Sequence, residues 1–188
     1  MESSFANIYL ALIDKINTLL IGDPPVPEIT HIDMDYGQLE QERPPVSYPC
    51  VLIDFQDWRY TNNGNLIQIA EGNIIVKIAT DPHSATSGNT PDTYREAALY
   101  ILDLENLIYT LLQGYRVPHQ YDPNDPLIVT KQTTALIRTN SITDNRRVGM
   151  KIKELTFRTS FTDLAASTLP RSIPRPPLDI TEQIIIPT

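Results

Sequence analysis

The chain has 188 residues, 41% of them apolar, and a formal net charge of −8. That length and composition suit one domain with a real core plus appendages, while the acidic balance argues against a dedicated nucleic-acid binder. The one cysteine, Cys50, excludes an internal disulfide framework and points to an intracellular origin; residues 1–22 lack the pattern of a signal peptide, and no apolar run approaches the about 20 residues of a membrane span.

Residues 4–21 read as an amphipathic helix, with Phe5, Ile8, Tyr9, Leu12, Ile16, Leu19 and Leu20 on one stripe, Ser3 or Ser4 as cap and Gly22 as terminator. Asp23-Pro24-Pro25-Val26-Pro27 forces an extended turn. A first strand is predicted over Glu28–Tyr36, half exposed, followed by a loop to Ser47. Tyr48–Thr80 holds the most apolar strand-like run and reads as a long antiparallel hairpin turning at Asn63-Gly64. Val51, Ile53 and Phe55, with Ile74, Val76 and Ile78, form its core face; Asp54, Gln56 and Lys77 lie on a mixed face suited to a neighbour or a channel. Gly72 marks a bulge.

A polar loop over 81–90 leads to Thr90-Pro91-Asp92, a strong helix start. The helix runs to about Gln113 on a stripe of Tyr94, Ala97, Ala98, Ile101, Leu104, Ile108, Leu111 and Leu112, with Gly114 closing it. Leu99, Leu102 and Tyr109 add a second apolar flank, the mark of a helix covered by more than its own sheet. Residues 115–126 read as a loop. A second hairpin spans Leu127–Asn140 and Arg147–Asp163, turning at Thr143-Asp144-Asn145, with a bulge near Lys153-Glu154 where the apolar phase changes. From 164 to 188, prolines exclude a helix, yet Ile180, Ile184, Ile185 and Ile186 are too apolar for an idle tail. This extended arm docks either on its own domain or as a strand added to a neighbour's sheet edge. The resulting fold class is α+β: an antiparallel or mixed sheet with two main helices on one side, a long C-terminal β-hairpin and the arm. The domain covers 1–163 and the arm 164–188.

Chemical motifs are sparse. His31, Asp33 and Asp35 alternate onto one strand face, which makes a small metal-dependent hydrolase thinkable; a solvated acidic face is the simpler reading. Asp54 and Asp57 fall on opposite faces, and the sequence holds no Glu-x-Lys, Asp-x-Lys, nucleophile elbow or phosphate loop. Cys50 sits in an apolar run that stabilises no thiolate, and His83 and His119 read as solvated loop residues. No catalytic residue, cofactor or metal is expected. Charge is more informative. Asp33, Asp35, Glu40 and Glu42 belong to an acidic block, and Arg146, Arg147, Lys151 and Lys153 to a basic one. An acidic edge of one copy meeting the basic hairpin of the next is a head-to-tail contact that closes into rings; contact of Arg146-Arg147 with nucleic acid is the other use of that cluster.

The helix at Ser4–Ile21, the strand Tyr48-Pro49-Cys50-Val51-Leu52-Ile53, the strand Ile74–Thr80, the helix Pro91–Gln113 and the final pair ending Phe157-Arg158-Thr159-Ser160-Phe161 come in an order that resembles the tail terminator (tail-completion) proteins of tailed phages and related contractile particles. The resemblance covers about residues 4–163. It implies a small α+β structural protein of the virion neck, assembled in the host cytoplasm. It further implies a hexameric ring that caps the tail tube, contacts tube, neck, head-completion or sheath proteins, and lets DNA pass with only transient contact. The arm after Leu164 departs from the family's compact pattern and fits a neck, sheath-cap or baseplate connector as well.

Overall fold

The structure, a computed structural model, describes residues 3–64, 67–80, 92–122, 125–144 and 151–163. In chain order its elements are α1 (Ser4–Ile16), β1 (Leu20–Ile21), β2 (Val26–Pro27), β3 (His31–Met34), a 3-10 turn at Gln38–Glu40, β4 (Cys50–Asn62), β5 (Gln68–Ala79), α2 (Asp92–Leu112), β6 (Arg116–Asp122), β7 (Asp125–Ala135), β8 (Ile137–Asp144) and β9 (Ile152–Asp163). Five strands form one mixed sheet in the order β3-β4-β5-β9-β8; β3 runs parallel to β4 and the other pairs are antiparallel. The ladders β1–β2 and β6–β7 stand apart from it.

Strand alternation sorts the sheet's side chains onto two faces. Val51, Ile53, Ile74, Val76, Ile78, Leu155 and Phe157 meet Ile8, Leu12 and Ile16 of α1 and Leu104, Ile108 and Leu112 of α2. Each such burial contributes about 1.5–3 kcal/mol before chain entropy is charged against it. Both helices therefore pack on one face, and the fold is α+β as patterning predicts. On the other face Cys50, Leu52, Ala79 and Ile152 cluster under Leu39, with Val46 and Tyr48 against them. The loop before β4 thus covers half of this face.

That second cluster corrects the expected bulge at Lys153-Glu154. β9 keeps unbroken register with β5 from Ile152↔Ala79 to Asp163↔Gln68. The apolar phase changes because Ile152 serves one face while Leu155, Phe157 and Phe161 serve the other. The bulge expected at Gly72 lies instead on the partner strand. The β4–β5 register slips between Gln56↔Asn73 and Arg59↔Glu71, which sets Asp57 (φ 56°) and Trp58 opposite Gly72. A Cβ on Gly72 would stand 2.5 Å from Trp58 Cδ2, so the glycine leaves room for the indole.

Five other expectations change. The first helix stops at Ile16, not Ile21. The Thr18 hydroxyl donates to Lys15 O (2.7 Å) and the Leu19 N–H to Ile16 O (3.0 Å), tightening the last turn; Leu20 and Ile21 then pair with Pro27 and Val26. Gly22 (φ 78°) lies between these two strands and does not cap the helix. The first strand contracts from Glu28–Tyr36 to His31–Met34. The predicted loop 115–126 is largely β6, whose ladder to β7 is irregular around Pro118, where a missing N–H is tolerated. The single strand predicted over Leu127–Asn140 divides at the buried Leu136. Its N–H donates to Tyr115 O (2.9 Å) and its carbonyl accepts from Gly114 N–H (2.9 Å), tying it to the corner after α2.

Candidate assembly surfaces

The acidic block lies at one edge of the sheet. Asp33 Oδ1 accepts the Met34 N–H (2.8 Å) and the Tyr9 hydroxyl (3.4 Å), and Gln38 Nε2 donates to Asp33 Oδ2 (3.4 Å). Asp35 Oδ1 accepts the Gly37 N–H (2.9 Å), while Oδ2 pairs with Lys77 Nζ at 2.5 Å. Burial alone would lower the Lys77 pKa, but the Asp35 hydrogen bond and the charges of Asp35, Glu154 and Glu40 hold it above its ordinary value. Glu40 and Glu42 are exposed. His31 Nε2 is buried without a hydrogen-bond partner. Among the described residues no three His, Cys, Asp or Glu side chains gather as metal ligands. The carboxylates of the conceivable His31/Asp33/Asp35 site are instead engaged by backbone N–H groups and Lys77.

Of the basic block, Lys151 and Lys153 lie at the start of β9, the strand beside the opposite edge strand β8. Lys151 is half-buried just before β9. Lys153 turns to the helix face and pairs with Glu105 of α2 at 2.9 Å. Burial would raise the Glu105 pKa, but Ser141, Lys153 and Arg138 lower it overall. Arg138 lies over the Tyr109 ring at 3.6 Å. Arg146, Arg147, the expected turn residue Asn145 and the arm with Ile180, Ile184, Ile185 and Ile186 lie outside the described residues, as does His83.

Between the edges, the uncovered half of the second sheet face is polar. Gln56 Nε2 donates to Asp54 Oδ2 (2.7 Å), and Arg158 pairs with Glu71 (2.5 Å) with both side chains at least half exposed. On α2, Leu99 and Leu102 of the second apolar flank are 40% and 47% exposed, while Tyr109 packs against the core. Sequence reasoning missed two exposed residues on the β8 edge, Ile137 and Ile142. Their odd spacing conceals that they share a face; a register slip between Arg138 and Asn140 restores it.

Other reactive side chains are buried. Burial pushes the Cys50 thiol up to about 12. His119, contrary to the solvated reading, is 2% exposed in β6, and its ring lies 4.9 Å from that of Phe161. Burial, with Lys131 adding to it, lowers its pKa. No helix among the described residues is long and apolar enough to cross a membrane.

No protein-family model matches the chain, and no curated protein matches it. Among solved structures, a chain of one described as "Virion of native gene transfer agent (GTA) particle" is similar at a TM-score of 0.47 and 11% identity, over 87% of this chain and 100% of that one.

Proposed function

We propose that the protein is a non-enzymatic structural component of a phage-like virion, a tail terminator working as a homo-oligomeric, hexameric ring. The ring caps the tail tube and joins it to the neck in the tail-neck region, and its partners are further copies of itself, the tail tube protein and neck, head-completion or sheath proteins. DNA passes through its channel with transient, non-specific contact. The observation that supports this reading is the strand order: β3, which carries the acidic Asp33, is one edge of the sheet, and β8, the strand that precedes Arg146 and Arg147 in sequence, is the other. Two different, complementary edges on one chain are what a head-to-tail contact requires, and closed rotation turns that contact into a ring. The element order supports the tail-terminator assignment within that class, and the overall negative charge suits a conduit that must not hold DNA. Asp35 and Lys153 are neutralised within the subunit, so Asp33, Glu40 and Glu42 facing Lys151, Arg146 and Arg147 carry the proposed contact.

The Pro-rich segment after Leu164 favours a second station in the same particle, a neck, sheath-cap or baseplate connector. Native mass measurement of the full chain, alone and with purified tail tubes, tests the assembly. The expected result is a ring mass that falls to monomer in the Glu40→Lys/Glu42→Lys variant and returns when Arg146→Glu/Arg147→Glu is combined with it. A chain that stays monomeric in both conditions overturns the ring.

A further inference from the structure

We propose that the outer edge of β8 is the acceptor for residues 180–186 of a second copy, which add to the sheet as a sixth strand. Among the described residues no strand pairs with that edge. It is eight residues long, and beyond Arg138, whose N–H Gln113 takes, its outer backbone groups face away from β9 where a partner strand can use them. The sheet's other open edges are less suited. β3 has four residues, and β4 beyond Ile53 is kinked by the Asp57–Trp58 bulge and carries Asp54, Asp57 and Arg59.

The surroundings of β8 fix what kind of strand fits. Ile137 and Ile142 pair with Arg158 and Glu154, so both point to the face away from the helices; they are 48% and 47% exposed. On the helix face α2 overhangs the edge. Gln113 Oε1 accepts the Arg138 N–H (3.0 Å), Tyr109 covers Arg138, and Glu105 accepts the Ser141 hydroxyl (2.5 Å). Leu102 continues this row one turn earlier. An added strand therefore meets isoleucines on one side and a leucine on the other. Ile180-Thr181-Glu182-Gln183-Ile184-Ile185-Ile186 has that double pattern: Ile180, Ile184 and Ile186 alternate to one face, and Ile185 to the other.

The connector favours a second copy over the strand's own domain. Residues 164–179 carry Pro170, Pro174, Pro176 and Pro177, a composition that gives a stiff, extended spacer. At about 3.1 Å per residue it spans roughly 50 Å, more than the diameter of a domain whose radius of gyration is about 15 Å. β9 delivers it at Asp163, only five residues beyond Arg158, the partner of the first β8 residue. A spacer of that length has the reach to carry residues 180–186 to the next subunit.

This inference rests on the head-to-tail reading for the second copy, so the test measures assembly and contact together. Full-length Ile142→Cys and full-length Ile184→Cys are mixed, oxidised mildly and analysed by denaturing gel, with native mass taken on the same samples. Buried Cys50 stays out of the reaction. The expected result is a covalent dimer about ten-fold above that from Ile184→Cys mixed with Leu10→Cys, the effect of effective concentration at a docked site; Leu10 is exposed on α1. Assembled rings with no link above the Leu10 control overturn the docking and leave the ring standing. A double variant that closes on itself as a covalent monomer overturns the second-copy assignment. A sample that stays monomeric and unlinked overturns the ring reading and this inference with it.

Discussion

The two faces of the five-stranded sheet are built from alternate residues of the same strands, yet they do different work. Phe157 and Arg158 are neighbours in β9; the first is fully buried among α1, α2 and the β6–β7 corner, and the second pairs with Glu71 in solvent. The helix face is closed by apolar packing, whereas the other is closed by a loop over only half its length. Stability is thus concentrated on one side, which leaves the opposite face and the sheet edges free to meet partners at little cost to folding.

That asymmetry sets the order of expected effects. Phe157→Ala removes a large, fully buried ring and should destabilise by about 3–5 kcal/mol, read as a lower urea midpoint. Gly72→Ala is next. Its methyl must displace the Trp58 ring, which also packs against Phe5 at a centroid distance of 4.9 Å and Phe161 at 5.4 Å. Overpacking of that kind costs about 1–3 kcal/mol, and tryptophan fluorescence should change in the native baseline. A silent Gly72→Ala would mean that the aromatic cluster gives way, and that the helix face is less tightly closed than described.

How much of this was readable follows from the same physics. The hairpin of β4 and β5, the helix α2 and the two-sided character of the sheet follow from period-two and period-3.6 patterning over long segments. The side chains expected from α2 at Tyr94, Ala97 and Ala98 lie outside the described residues. Boundaries failed where short-range hydrogen bonds decide them: the Thr18 hydroxyl ends α1 four residues ahead of the glycine expected to do so. β6 was hidden by its proline and aspartate content, and His119 by the loop that this content implied. The charge blocks were legible as composition. That β3 and β8 are the opposite edges depends on the strand order, which a local pattern does not encode. Nor does it encode the pairing of Lys153 with Glu105, residues far apart in sequence that meet because α2 crosses the β8 edge.

Two glutamates sharpen the comparison through pH. Burial raises the Glu28 pKa; its Oε1 accepts the Tyr100 hydroxyl and its Oε2 has no hydrogen-bond partner. A carboxyl with a raised folded pKa contributes stability that is fully present below its ordinary value of 4.5 and is lost as pH rises through the folded value. Glu105 has the opposite sign. Its folded pKa is lowered, so its contribution is present above 4.5 and is lost as pH falls through the folded value. Denaturation midpoints followed through the acid range should show Glu28→Gln removing a decline with rising pH and Glu105→Gln removing a rise. Changes in slope of the same sign, relative to the unsubstituted chain, would break this account of the polar groups under α2.

The smallest effect is expected at the residue beside the largest. Arg158→Ala, Glu71→Ala and the double variant form a cycle on the open face, where both side chains of the pair are at least half exposed. A pair in that setting contributes about 0.2–1 kcal/mol, and less as salt rises, because water and ions screen it and two long side chains must be ordered to make it. The coupling should therefore shrink between low and high ionic strength in the isolated subunit. A coupling of several kcal/mol that ignored salt would require the pair to be shielded, which in turn would require the open face to be covered by something other than solvent. A small, salt-sensitive coupling leaves Arg158 cheap to remove one position away from Phe157. The sheet then stands as a scaffold stabilised on one side and available for assembly on the other.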